Sequence, residues 1–412
     1  MKMRTAMLLA AFALGTDSSI MLAQTLTTLA SFNGSNGDLP YSGLLSDPNG
    51  NLYGTTFYGG DFGYGTVFEL SAATHTITPL VSFNAANGAN PVNYGRLVVD
   101  SSGNLYGTTA GGGPNHAGSV FEVAASTHAL TTLAFFDPAT TGYLPYGSLS
   151  VDGSGNLYGT TSFGGPGGGG TVFKINAITH TLTTLATFIE NNSDGGRIPS
   201  SPPIVDASGN LFGTTGGGGG AAGNGTIFEI DAVTHALMTI ATFNGNNGGI
   251  PNGLIADAKG NLYGTSSLGG ANGNGTIFEF DVASRTLTTL ASFNGGNGSA
   301  PGSPLILDAS GNLYGTTYYG GANPSDGTVF ELDAATHTIT TLLSFDGTNG
   351  AGPVSGLLAD ASGNLYGTTT GGDFRAYGLG TVFELSVPEP ASLSVFVVGV
   401  LSLSLRRRRR SL

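Results

Sequence analysis

Between residues 25 and 386 the apolar and β-branched positions come in short runs, each ended by Gly, Asn, Asp or Pro. In the first stretch these runs are Gly43–Ser46, Asn51–Thr56, Thr66–Leu70 and Thr76–Phe83. Rich in Leu, Val, Ile, Thr, Tyr and Phe, and bounded by turn formers, they predict four β-strands. No part of this body sustains the apolar period of a helix.

The four-run unit recurs. Gly-Asn-Leu-Tyr-Gly-Thr begins at Gly50, Gly103, Gly155, Gly260, Gly311 and Gly363, and at Gly209 with Phe212 in place of tyrosine. Successive copies lie 51 to 54 residues apart. Gly-Thr-Val-Phe-Glu-Leu follows at Gly65 and returns, with changes, at Gly118, Gly170, Gly225, Gly275, Gly327 and Gly380. A third run, Leu-Thr-Thr-Leu-Ala-Ser-Phe, ends at Phe32 and has counterparts ending at Phe83, Phe136, Phe188, Phe243, Phe293 and Phe345. Seven units of four strands predict an all-β chain, a seven-bladed β-propeller of four-stranded blades. A parallel β-helix is the alternative, but its turns are usually shorter than this period. The strand ending at Phe32 has no partner before it, and the last unit stops after Leu385 without such a strand. The N-terminal strand is therefore expected to complete the last blade and close the ring, hiding the open edges of a linear array.

An aspartate precedes each first motif, at Asp47, Asp100, Asp152, Asp206, Asp257, Asp308 and Asp360. In Asp-x-x-Gly-Asn the carboxylate can accept bonds from turn N–H groups while Gly and Asn tolerate positive φ, so these seven are read as structural turn residues. Their spacing lacks the alternating oxygen ligands of a calcium loop. Thr-His pairs at His75, His128, His180, His235 and His337, with Arg285 taking the place in the fifth unit, are read as the second hairpin. A histidine used once per blade around a ring cannot converge on one metal. Glutamates at Glu69, Glu122, Glu229, Glu279, Glu331 and Glu384 share a strand position that holds Lys174 in the third unit. The glycine runs lack the Lys-Ser or Lys-Thr that opens a phosphate-loop helix. No metal and no cofactor is expected.

The 70 glycines show no triplet period and serve turns, while 40% hydrophobic residues suffice for a core. Absence of cysteine removes disulfides, thiolate metal sites and cysteine nucleophiles. Residues 24–388 hold six basic and 24 acidic side chains, net −18, a surface that repels nucleic acid.

Both ends read as addresses. Residues 1–23, with Lys2 and Arg4 before an apolar run, are expected to be a secretory signal. Residues 387–412 hold Pro388, Glu389 and Pro390, an uncharged run to Leu405, and the arginines Arg406 to Arg410. The uncharged run, Ala391 to Leu405, is short for a bilayer span. This order resembles the PEP-CTERM sorting signal of Gram-negative bacteria. The resemblance implies processing near the Pro-Glu-Pro motif by an exosortase and transient membrane contact through the tail. It places the protein at the cell surface, the outer membrane or the extracellular matrix.

The combined motifs of residues 24–386 resemble the GloVer tandem repeat of exported bacterial proteins, which implies export and repeat architecture but names no ligand. The turn motif also looks like that of streptogramin lyase-like propellers. The lack of tryptophan sets the chain apart from WD40 and kelch repeats.

In such a blade the tight hairpins share one face and the longer loops the other, where function tends to sit. The longer loops carry Phe57, Tyr58, Phe62, Tyr64, Phe163, Tyr318, Tyr319, Phe374 and Tyr377, with the amides Asn33, Asn36, Asn244 and Asn247. Aromatic faces and amides together suit carbohydrate, whereas Asn and Gly used purely as turn residues is the competing reading. The expectation is a binding or structural module for exopolysaccharide or surface proteins. The alternative is a lyase or hydrolase at the central channel, for which Asp61, His116, Arg197, Asp373 and Arg375 are the residues that break the repeat.

Overall fold

The computed structural model describes residues 24–92, 96–190, 195–199, 201–220, 223–371 and 379–387. Among them every regular element is a strand, and the strands form seven antiparallel sheets arranged as blades around a common axis. The chain is thus a seven-bladed β-propeller, as its repeats predict. Blade 1 runs outward from the axis through Leu45–Ser46, Leu52–Thr56, Thr66–Leu70 and Ile77–Ser82. Blade 7 uses Leu358–Ala359, Leu365–Thr369 and Thr381–Ser386, and its outermost strand is the N-terminal Thr25–Ser31. The closing register, from Thr25 opposite Ser386 to Ser31 opposite Thr381, repeats that of the other blades. Phe32 N donates to Gly380 O at 3.0 Å, as Phe83 N does to Gly65 O.

The repeated motifs are the contact surfaces of the ring. In Leu-Tyr-Gly-Thr the glycine stands opposite the phenylalanine of the next strand, Gly54 against Phe68. A Cβ on Gly54 would lie 2.7 Å from the Phe68 ring, and the same clash recurs at Gly107, Gly159, Gly213, Gly264, Gly315 and Gly367. The glycine seats the ring, and the ring then reaches the neighbouring blade. Phe32 meets Phe68 edge-on at 5.1 Å, and the series continues through Phe83–Phe121 and Phe136–Phe173 to Phe345–Phe383. Each hydrophobic cluster joins two adjacent blades, so the core is a set of radial seams rather than one centre. Edge-to-face pairing adds to area burial at every seam.

One recurrent feature has no simple signature. In blade 1 the register slips between Val67 and Phe68, so that Leu80 has no partner across the ladder. The extra residue of this β-bulge is Leu or Ile in every blade: Leu29, Leu80, Leu133, Leu185, Ile240, Leu290 and Leu342. The bulge turns that side chain toward the seam and sharpens the local twist.

Blades 4 to 6 extend toward the loop side. Their second strands, Leu211–Gly218, Leu262–Leu268 and Leu313–Tyr319, are longer than Leu52–Thr56 and pair with added pieces at Gly196–Pro199, within Gly249–Ala256 and at Ser299–Pro301.

Candidate functional site

The two faces of the disc differ in chemistry. On the tight-hairpin face the seven aspartates close their own turns. Asp47 Oδ1 accepts from Asn49 N and Asn51 N at 2.8 Å, and Oδ2 accepts from Asn51 Nδ2 and the Tyr53 hydroxyl. Asp100, Asp152, Asp308 and Asp360 repeat the set, tyrosine included. Asp206 faces Phe212 and lacks that last bond, while in blade 5, the blade of Asp257, Tyr263 turns to Glu279 at 3.0 Å. Burial, together with Glu69 and Asp47, pushes the Tyr53 phenol up to about 12. The histidines of the second hairpin, and Arg285, sit at positive φ of 53 to 57° as the turn requires.

Sixteen acids lie on this half against Lys174, Lys259 and Arg285, net −13. On the loop half the described acids are Asp38, Asp61, Asp137, Glu190, Asp326 and Asp346, against Arg96 and Arg197, net −4. The field is strongly lopsided.

The loop face exposes large apolar side chains. Phe62 is 58% exposed, and Tyr58, Tyr64 and Tyr319 are exposed as well. Tyr41, Phe57 and Tyr58 form a run of edge-to-face contacts at 5.6 and 4.5 Å, and Tyr318 meets Tyr319 at 4.4 Å. Phe57–Tyr58 of blade 1 and Tyr318–Tyr319 of blade 6 hold the same loop position, where blade 7 has Thr370–Gly371 and blade 5 has the exposed Leu268. These exposed aromatics thus stand on blades 1 and 6, on either side of blade 7, and blade 5 adds the aliphatic Leu268. Phe163 lies apart on blade 3, stacked on Tyr143 at 5.7 Å. Phe374, Tyr377, Asp373, Arg375 and the sorting motif Pro388, Glu389 and Pro390 fall outside the described residues, as do residues 1–23.

The amides proposed with these aromatics hold their own loops. Asn33 N donates to Asn36 Oδ1 at 2.8 Å and Asn36 N to Asn33 Oδ1 at 3.0 Å, and Asn244 and Asn247 do the same. Asp61 and His116 lie on loops of blades 1 and 2, and Arg197 lies in the added strand Gly196–Pro199 of blade 4, so the three stand on different blades. Among the described residues no three His, Cys, Asp or Glu side chains gather as a metal-binding group.

Two features escape a motif-by-motif reading. A cleft of about 310 Å³ opens between blades 3 and 4, lined by Tyr158, Lys174, Asn176, Asp231 and His235. One seam further on, Glu229 pairs with Arg285 at 2.9 Å; at the cleft the same two places hold Lys174 and His235, so no such bridge forms. Lys174 instead sits over the Tyr158 ring at 5.5 Å. The second is Arg96, on the innermost segment of blade 2, which bridges in parallel to Gly43 of blade 1.

Solved structures of low sequence identity share this fold. The extracellular domain assigned to a hybrid two-component system of B. thetaiotaomicron superposes with a TM-score of 0.57 at 12% identity, covering 87% of this chain and 39% of that one. A second domain of that kind from the same organism gives 0.55 at 14%, covering 87% and 41%. The chain therefore spans about two fifths of the length of these structures. Oligogalacturonate lyase in complex with manganese gives 0.56 at 12%, covering 89% and 97%. At such identities the likeness is one of fold. No curated protein sequence matches the chain. The family model of the Gloeobacter/Verrucomicrobia repeat matches residues 9–220 and 199–397, and by that match, which spans all seven blades, the chain belongs to this family.

Proposed function

We propose that this is an exported surface propeller that binds glycan through the loop face, anchored by Tyr58, Phe62, Tyr64 and Tyr319. The observation that carries this reading is the exposed aromatic cluster Tyr58, Phe62 and Tyr64 of blade 1, with Tyr319 of blade 6, on the less acidic half of the disc. Aromatic side chains offer flat, stiff apolar surfaces at small entropic expense, which suits the C–H faces of sugar rings. The opposite face has its carboxylates engaged in turns and carries most of the negative charge. Export is supported by the signal-like first 23 residues and the Pro388-Glu389-Pro390 tail, which an exosortase would process. The two propellers of this fold named as extracellular domains are consistent with such a setting.

The test is a glycan array that includes the producing organism's own exopolysaccharide, probed with the purified protein. Tyr58→Ala and Tyr319→Ala should each weaken a hit by about tenfold, the effect of losing one good aromatic anchor. A blank array with folded protein would shift the reading to a surface-protein partner or a passive scaffold.

A further inference from the structure

The innermost position of each blade, nearest the axis, is held in chain order by Gly43, Arg96, Ser148, Pro202, Gly253, Pro304 and Gly356. Neighbours along this ring touch: Gly43 bridges to Arg96, and a Cβ on Gly253 would meet Pro304 at 3.0 Å. Six of the seven are small or rigid and uncharged, and one is a guanidinium.

Around Arg96 the repeat is broken in three independent ways. First, the buried leucine of blade 2 follows its loop proline by six positions, Pro91 to Leu97, where in blade 1 the step is four, Pro40 to Leu44. Second, a recurrent clasp is missing. The second-strand threonine of one blade normally donates to the carbonyl of the next blade's loop segment, as Thr108 does to Pro145 O at 3.0 Å and Thr368 to Pro40 O at 2.9 Å. The corresponding Thr55 Oγ1, which faces blade 2, is buried without a partner. Third, Ser148, the next ring position after Arg96, is 3% exposed and its hydroxyl also has no partner.

Arg96 itself is set deep enough that burial lowers its pKa from the ordinary guanidinium value, yet it keeps some exposure to solvent. Among the described residues the one ion pair is Arg285–Glu229, so Arg96 has no carboxylate partner there. A largely desolvated charge without a counter-charge is unfavourable. Guanidinium stays protonated, so the imbalance is relieved by an anion rather than by proton loss.

Resting on the glycan reading above, we propose that the loop-side mouth of the axial channel is an acidic-sugar subsite in which Arg96 takes a carboxylate. A guanidinium offers paired N–H donors that match the two oxygens of a carboxylate. Tyr41 and Tyr146 lie two residues before the ring positions Gly43 and Ser148 on the flanking blades, and the Tyr41 ring continues into Phe57 and Tyr58 of the blade 1 aromatic cluster. A sugar on the blade 1 aromatics could thereby present its acid to the axis. The net −4 of the loop half and −13 of the other select for one isolated carboxylate and against a densely charged polymer.

The experiment is titration calorimetry of the purified protein with glucuronate, glucose and acetate, with thermal melts in each. Glucuronate should bind about tenfold more tightly than glucose, a difference one charge-assisted pair can supply. Arg96→Ser, which installs the residue blade 3 uses at this place, should erase that preference, and Arg96→Lys should retain part of it. Tyr58→Ala should weaken both sugars alike and leave the preference intact. Equal binding of the two sugars, or a preference unchanged in Arg96→Ser, overturns the subsite. If neither sugar binds but acetate raises the melting temperature of the parent and not of Arg96→Ser, the anion site stands and the glycan reading falls. If no probe acts through Arg96, the site is refuted whatever the array shows.

Discussion

At the scale of single residues, recurrence decided what could be read. The aspartate and glycine of Asp-x-x-Gly-Asn return in every unit and announced a turn, and Asp47 indeed closes its turn with bonds from Asn49, Asn51 and Tyr53. Arg96 occurs once, and its sequence neighbours say nothing of an axis; only the packing of blade 2 against blade 1 puts it beside Gly43. Lys174 was visible as the exception among six glutamates, but the cleft depends on His235 of the next blade. The tyrosines of the repeat carry a pH response. Burial first, and nearby carboxylates second, raise Tyr53 and Tyr106 from 10.0 to about 12, and Tyr158 likewise with Asp152 as its carboxylate. An acid whose folded pKa is raised favours folding while it is protonated, so this contribution is complete below the unfolded value and fades as pH climbs toward the folded one. The urea midpoint should hold steady up to about pH 10 and fall between there and about pH 12, in step with phenolate absorbance. Tyr106→Phe should make the fall shallower. A midpoint that declined well below that window, or a fall unaffected by Tyr106→Phe, would show that other groups control the response.

At the scale of elements, the strands were legible because each run is short and ended by a turn former. The prediction of Gly43–Ser46 for the innermost strand was longer than the observed Leu45–Ser46, because in blade 1 Gly43 takes part in an isolated bridge between blades instead of the ladder. The bulge leucines were not legible, since Leu80 sits in an ordinary alternating run and its shift is imposed by the seam. Nor were the longer second strands of blades 4 to 6, which depend on pairing with added pieces such as Ser299–Pro301. The closing strand gives the sharpest test. Without residues 24–32, Thr381–Ser386 becomes an open edge and Phe68 loses its ring partner Phe32. Loss of a buried phenylalanine alone is worth about 3–5 kcal/mol, before the ladder is counted. The truncated protein should melt many degrees lower and self-associate through the freed edge, and a peptide of residues 24–32 should restore the melt. Identical melting of truncated and complete chains would mean that blade 7 does not hold the ring shut.

At the scale of the whole molecule, sevenfold repetition stacks like charges. A carboxylate that is harmless in one turn is copied around the ring, until one half of the disc carries −13 and the other −4 among the described residues. Neighbouring exposed charges repel within a screening length of about 10 Å at 0.1 M salt, and less so as salt rises. The fold is therefore predicted to gain stability with ionic strength, and the gain should belong mainly to the tight-hairpin half. Two substitutions at exposed alanines separate the halves. Ala73→Glu adds a charge beside the blade 1 hairpin, and Ala271→Glu adds one to a blade 5 loop on the opposite face. At low salt Ala73→Glu should be the more destabilising, by a margin of about 0.2–1 kcal/mol, the usual size of an exposed charge interaction. At high salt the two melting temperatures should converge. If they differ equally at both salts, the difference is local packing. If they never differ, charge is not what distinguishes the faces, and the preference of an acidic sugar for the loop half must come from Arg96 alone.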